Sequence, residues 1–258
     1  MPAQPVQSPF DCEQFRTMTN TTLGHASPLD TVEIETSPNP SHAVIWLHGL
    51  GADGHDFEPV VAALDAANLP ATRFVFPHAP MRAVTINNGY VMRAWYDIVS
   101  ADFSQRREDP DGVRESARLA EALIARENAR GIADENIVLA GFSQGGAIAL
   151  HAGLRHPHRL AGILALSTYV PLAETLAAER HEANTQTSVF MAHGRQDPVI
   201  PYSFAKLSYG LLSQLGQPVS WHAYTADHTV TLDELRDIER WLQKVLGEEP
   251  EPSDMPNL

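Results

Sequence analysis

Short apolar runs alternate along the chain with stretches of helical spacing. "AVIWLHG" (43–49) is continuously apolar and closes on glycine, as a strand buried on both faces does. Phe57, Val60, Val61 and Leu64 then recur at helical intervals, and "RFVFP" (73–77) predicts the next strand. A long helix is predicted near 110–130, where Val113, Ala117, Ala120 and Ile124 form a stripe ended by Gly131. The strand "NIVLAGF" (136–142) leads into a helix from about Gln144 to Arg155. Further strands are predicted at "AGILALS" (161–167), "TSVFMAHG" (187–194) and "VSWHAY" (219–224), with a helix near 203–215. A closing helix aligns Leu235, Ile238, Leu242 and Val245. This alternation predicts βαβ units and an α/β fold, with a mainly parallel sheet and helices on both faces. In such sheets the site lies in the crevice at the carboxyl ends of the strands.

The body of the chain offers no linker, so 31–247 is expected to form one domain. The first thirty residues, rich in Pro, Thr, Ser and Gln, are expected to be a flexible arm, within which Met18 offers a second start. Residues 248–258 are expected to be an acidic tail. A net charge of −14 argues against nucleic acid or an anionic membrane as the main partner. Cys12 is the only cysteine, which removes internal disulfides and cysteine-based zinc sites. No secretory leader and no run long enough to span a bilayer is present, so a cytoplasmic protein without stable membrane insertion is expected.

The candidate chemistry starts at "IVLAGFSQGGAIAL" (137–150), where Gly141-Phe142-Ser143-Gln144-Gly145 fits G-x-S-x-G. That pattern arises by chance in roughly a tenth of chains this long, given Gly and Ser near 7% each. Its setting between a strand and a helix is what raises it, because a serine there occupies a strained elbow. A serine hydroxyl needs a base and an acid that orients the base, expected in the order serine, acid, histidine. Asp197 follows the predicted strand 187–194 and sits at the correct edge. Of the two histidines beyond it, His222 lies inside a strand and His228 in the loop after it, so His228 is the candidate base. Asp227, its neighbour, is a poor orienting acid because adjacent side chains point apart. The oxyanion donors are expected to be the N–H of Gln144 and that of Leu50 in the loop "LHGLGADG" (47–54). His48 precedes the serine and is assigned to holding that loop. His156 and His158 lack the companions a metal site needs, no metal or other cofactor is expected, and no phosphate-binding G-x-x-x-x-G-K-[ST] motif occurs.

The segments "VIWLHGLGADGHDF", "FPHAP", "VTINNGY", "WYDI", "LAGFSQGGAIAL", "LALSTYVP" and "HGRQDPVIP" together resemble the bacterial carboxylesterase and acyl-protein thioesterase family. The resemblance covers about residues 43 to 246 and implies an α/β-hydrolase fold without a large lid. It implies Ser143, Asp197 and His228 as a triad, Leu50 and Gln144 at the oxyanion hole, and substrate contacts from Trp95 and Tyr169. Arg93-Ala94 stands where the family has Pro-Ser, and Ala226-Asp227 where it has a glycine-rich turn. The expected reaction is hydrolysis of short- to medium-chain carboxylic esters through an acyl-enzyme. The alternatives are an acyl-protein thioesterase or lysophospholipase acting on long chains, and an inactive hydrolase fold used for binding. The expected partner is a small-molecule ester or thioester, with a homodimer left open.

Overall fold

The computed structural model describes residues 29–64, 68–100 and 108–247. Almost all of the expected N-terminal arm, including Cys12 and Met18, and the whole C-terminal tail lie outside the described residues.

In chain order the strands are β1 (Thr31–Glu35), β2 (His42–Leu47), β3 (Thr72–Pro77), β4 (Met81–Val84), β5 (Tyr90–Arg93), β6 (Ile137–Phe142), β7 (Gly162–Leu166), β8 (Ser188–Gly194) and β9 (Val219–Tyr224). The helices are α1 (Glu58–Ala63), α2 (Pro110–Ala129), α3 (Gln144–Gly153), α4 (Ala173–Glu179), α5 (Tyr202–Gln214) and α6 (Leu232–Gly247). Each strand predicted from an apolar run joins one sheet, ordered β1-β3-β2-β6-β7-β8-β9. All its pairings are parallel except that of β1, which runs antiparallel to β3 at the edge.

Alternation within the strands explains the continuous apolar runs. Ala43, Ile45, Leu139, Ile163 and Met191 face a core shared with α2, α3 and α5. Their neighbours Val44, Trp46, Ala140, Leu164 and Phe190 face the opposite core, closed by Val60 and Val61 of α1 and by Ile238, Trp241 and Leu242 of α6. Each fully buried large side chain contributes about 1.5–3 kcal/mol, so neither face tolerates a polar register.

Beyond the elements predicted from the sequence, the structure adds an edge strand, a hairpin and a helix. β1 alternates Val32 and Ile34 inward with Glu33 and Glu35 outward, and the outward carboxylates meet Arg73, Arg126 and Arg130. The hairpin β4–β5 turns through Asn88 and Gly89, both at positive φ (55° and 75°). Helix α4 is the third.

In the His156-Pro157-His158 segment, His156 is held by two carboxylates. Its Nδ1 lies 2.7 Å from Glu121 and its Nε2 2.9 Å from Asp134, so the ring ties the end of α3 to α2 and to the approach to β6. Burial works against the charged ring, but the two carboxylates outweigh it and raise its pKa above the ordinary 6.5. A raised histidine stabilises the fold fully below its unfolded value and loses that contribution as pH rises through the folded one. The parent should therefore exceed His156→Gln by about 1–2 kcal/mol near pH 6, with the gap shrinking toward pH 9 in urea titrations. A gap that is flat or grows with pH contradicts this.

Candidate active site

The strand β6 ends at Phe142 and α3 starts at Gln144, leaving Ser143 alone to make the turn. It does so at φ 55°, ψ −119°, a strained conformation for a residue with a Cβ. The turn closes because Gly141 and Gly145 press together across it. A Cβ on Gly141 would lie 2.3 Å from the Gly145 carbonyl carbon, and one on Gly145 would lie 2.3 Å from the Leu47 oxygen. Two hydrogen bonds pin the elbow: Ser143 N–H donates to Leu166 (2.8 Å), and Thr168 Oγ1 donates to the Ser143 carbonyl (2.7 Å).

Ser143, His228 and Asp197 meet at the carboxyl edge of the sheet in one continuous chain of hydrogen bonds. His228 Nε2 is 2.9 Å from Ser143 Oγ, and His228 Nδ1 is 2.7 Å from Asp197 Oδ2. With the ring proton on Nδ1 facing the carboxylate, Nε2 is the acceptor that a serine proton requires. Asp197 Oδ1 accepts from the amides of Val199 (2.8 Å) and Ile200 (2.9 Å). Burial opposes its charge, but the His228 hydrogen bond and then the Ile200 amide hold its pKa below the ordinary carboxylate value.

The His228 loop keeps its shape without the glycine-rich turn. Gln196 N–H donates to Ala226 (3.0 Å) and Thr229 N–H to Asp227 (3.0 Å). The glycine that permits the close approach is Gly194, where a Cβ would lie 2.3 Å from the Asp227 oxygen. Asp227 thus contributes its backbone to the loop, and the carboxylate on His228 is that of Asp197. His222 stacks on Phe190 with ring centroids 4.4 Å apart, away from the serine.

The two expected oxyanion residues flank Ser143. Among the described residues the N–H groups of Leu50 and Gln144 make no backbone hydrogen bond. That of Gln144 is the first of a helix, where no intrahelical acceptor exists. The Leu50 loop is held by Gly51 N–H donating to Arg93 (2.9 Å) and by His48, which accepts from the Ala79 N–H at Nε2 (3.0 Å) and donates from Nδ1 to the Gly49 carbonyl (2.7 Å). Burial lowers the His48 pKa, so the ring stays neutral and matches its part as a loop brace. Arg93, at a position where the resemblance pattern has proline, clamps the same region by donating to the Ala79 carbonyl (2.9 Å).

Ser143 opens onto two clefts. One, of about 570 Å³, is lined by Ala52, Asp56, Phe57, Phe142, Thr229 and Val230. The other, of about 290 Å³, is lined by Ile86, Tyr96, Ile98, Tyr169, Val199 and Ile200. Leu50 and Val199 border both. Tyr169 thus stands where a substrate contact was expected. Trp95 does not: it is fully buried and lines neither cleft. Its indole N–H donates to the His48 carbonyl (2.8 Å), and its amide donates to the Gln144 side chain (2.8 Å), whose Nε2 donates in turn to Tyr96 (2.6 Å). Trp95 lies behind the two segments that carry the Leu50 and Gln144 amides. Sequence reasoning also passed over Thr168, whose contact with Ser143 lies 25 residues away in the chain, and the Val199 and Ile200 amides, which reach Asp197 through a local turn that carries no pattern of its own.

Comparison with known proteins identifies the family. The model of the phospholipase/carboxylesterase family matches residues 29–246. Acyl-protein thioesterase 1 of Gibberella zeae is 39% identical over 211 residues, covering 79% of this chain and 90% of that protein. Its Yarrowia lipolytica namesake is 35% identical over 225 residues, covering 86% and 99%. Among solved structures, Arabidopsis thaliana SOBER1 superposes with a TM-score of 0.76 at 31% identity, covering 80% of this chain and 99% of that one. Zea mays acyl-protein thioesterase 2 gives 0.76 at 25% identity, covering 85% and 100%. The chain belongs to the phospholipase/carboxylesterase family of α/β-hydrolases and is a serine hydrolase of the ester- and thioester-cleaving type.

Proposed function

We propose that this enzyme is an acyl-protein thioesterase, releasing a medium to long acyl chain from the thiol of a bulky carrier. The observation that supports this most is the position of Ser143 between two unlike clefts. The smaller, apolar one suits an acyl chain, and the larger, more open one suits the carrier. Ile86 and Val199 line the smaller cleft and remain 37% and 54% exposed, so a chain longer than the cleft continues over an apolar rim. The relatives named acyl-protein thioesterase favour this reading over the short- to medium-chain carboxylesterase expected first from the sequence.

The geometry supports the following steps. His228 Nε2 takes the Ser143 proton as Oγ attacks the thioester carbonyl carbon. The oxyanion is held by the Leu50 and Gln144 N–H groups, fixed before the reaction by the loop and the helix. Asp197 holds the imidazolium through Nδ1–H. Collapse breaks the carbon–sulfur bond, His228 passes its proton to the departing thiol, and the acyl group remains as an ester on Ser143. Water then gives a proton to His228 and its oxygen to the acyl carbon, the proton returns to Ser143, and the carboxylic acid leaves.

An acyl series tests the reading. Each methylene buried in the smaller cleft is worth about 0.8 kcal/mol, so kcat/KM for thioesters should rise by up to about fourfold per methylene from acetyl toward octanoyl. A maximum at acetyl or propionyl, with a steady decline beyond, would return the enzyme to the short-chain carboxylesterases.

A further inference from the structure

Asp197 touches two histidines. His193, next to last in β8, is fully buried four residues before the carboxylate. Its Nε2 lies 2.9 Å from the Ile200 carbonyl oxygen and 3.4 Å from Asp197 Oδ2, the oxygen that His228 also uses. A nitrogen facing a carbonyl must carry the ring proton, because a carbonyl only accepts. His193 Nδ1 is then the bare nitrogen, and it is buried without a hydrogen-bond partner among the described residues. Burial pushes the His193 pKa down, which keeps the ring neutral. A leucine would fill this volume without stranding a polar atom, so packing alone does not account for a histidine here. The titratable groups facing it are Asp197 and His228 from the two loops and Tyr202 from α5, whose ring meets it edge-on at 6.2 Å.

We infer that His193 is a positioning residue for the reaction: its neutral Nε2–H, donated to the Ile200 carbonyl and lying 3.4 Å from Asp197 Oδ2, anchors the loop whose Ile200 amide holds the carboxylate at the angle His228 needs and offsets part of its charge. The inference rests on the reading of Asp197 and His228 as the relay to Ser143. His193 lines neither cleft, so its loss acts on turnover and not on substrate binding. Without this donor the carboxylate turns more freely, which slows the reaction. It also concentrates its charge on His228, which favours the imidazolium and moves the acid limb of kcat/KM to higher pH.

His193→Leu and His193→Gln separate this from a structural part, because glutamine places a donor near the position of Nε2. With a p-nitrophenyl ester, His193→Leu should lose roughly tenfold in kcat with KM within about twofold. Its acid limb should rise by roughly 0.2–0.5 pH unit, less than the size of one full hydrogen bond, because the lost N–H only approaches the carboxylate. His193→Gln should recover both. A leucine variant with parental kcat and an unmoved acid limb overturns the inference, as does a glutamine variant impaired as much as leucine. Should the leucine chain not fold, 15N NMR of the parent decides: the inference requires a proton on His193 Nε2, and a proton on Nδ1 overturns it. Fluorophosphonate labelling of the parent runs alongside. An unlabelled parent defeats the relay reading itself, whereas a labelled parent with unmoved profiles defeats only the part given to His193.

Discussion

Ser143→Ala will lower kcat/KM for any ester or thioester substrate by roughly four to six orders of magnitude while leaving the fold intact. The substitution removes one oxygen and keeps the Cβ, so the elbow at φ 55° retains its hydrogen bonds to Leu166 and Thr168. What disappears is the atom 2.9 Å from His228 Nε2, and with it the covalent route. The oxyanion amides and both clefts survive, so a small residual rate and near-parental substrate binding are expected. Steady-state kinetics of the purified variant, with circular dichroism as the folding control, provides the check. A variant within tenfold of the parent would remove Ser143 from the chemistry.

Gly145→Ala will destabilise the protein by about 3 kcal/mol or more, although alanine is the better helix former by about 1 kcal/mol. The new methyl would lie 2.3 Å from the Leu47 oxygen and 2.5 Å from that of His48, backbone atoms at the end of β2 and the start of the Leu50 loop. Neither can move aside as a flexible side chain would. Relief requires α3 to shift away from β2, which drags Ser143 from His228, so the folded fraction should also lose turnover. Gly210→Ala is the control, since nothing lies within 4 Å of a Cβ there and the helix-propensity gain should appear unopposed. Urea midpoints of the two variants should therefore move in opposite directions. A stabilised Gly145→Ala would mean that the elbow is looser than this packing requires.

How far the site could be read in advance depended on how local each signal was. The strands of the central sheet are buried on both faces, and continuous apolar runs such as "VLAGF" leave no other reading. The edge strand β1 offered only Val32 and Ile34 alternating with Glu33 and Glu35, and the arginines that meet Glu33, in α2 and just past its end, lie far along the chain. The elbow was legible because strand, glycines and helix are contiguous. His228 was reached through chain order and loop placement, which settle which edge of the sheet a residue occupies. They do not settle depth behind that edge. Trp95 was therefore expected in the groove, although it lies one layer behind it. His193 ended an apolar run and looked like the close of a strand, because the curl that brings residue 200 back over it has no pattern of its own.

The proposed mechanism requires that one hydroxyl, at position 143, becomes acylated. Incubation with a fluorophosphonate followed by peptide mapping in a mass spectrometer reads this out residue by residue. One adduct per chain is expected, on Ser143, forming in step with loss of thioesterase activity. An adduct on another residue, or full loss of activity with residue 143 unmodified, would rule the mechanism out.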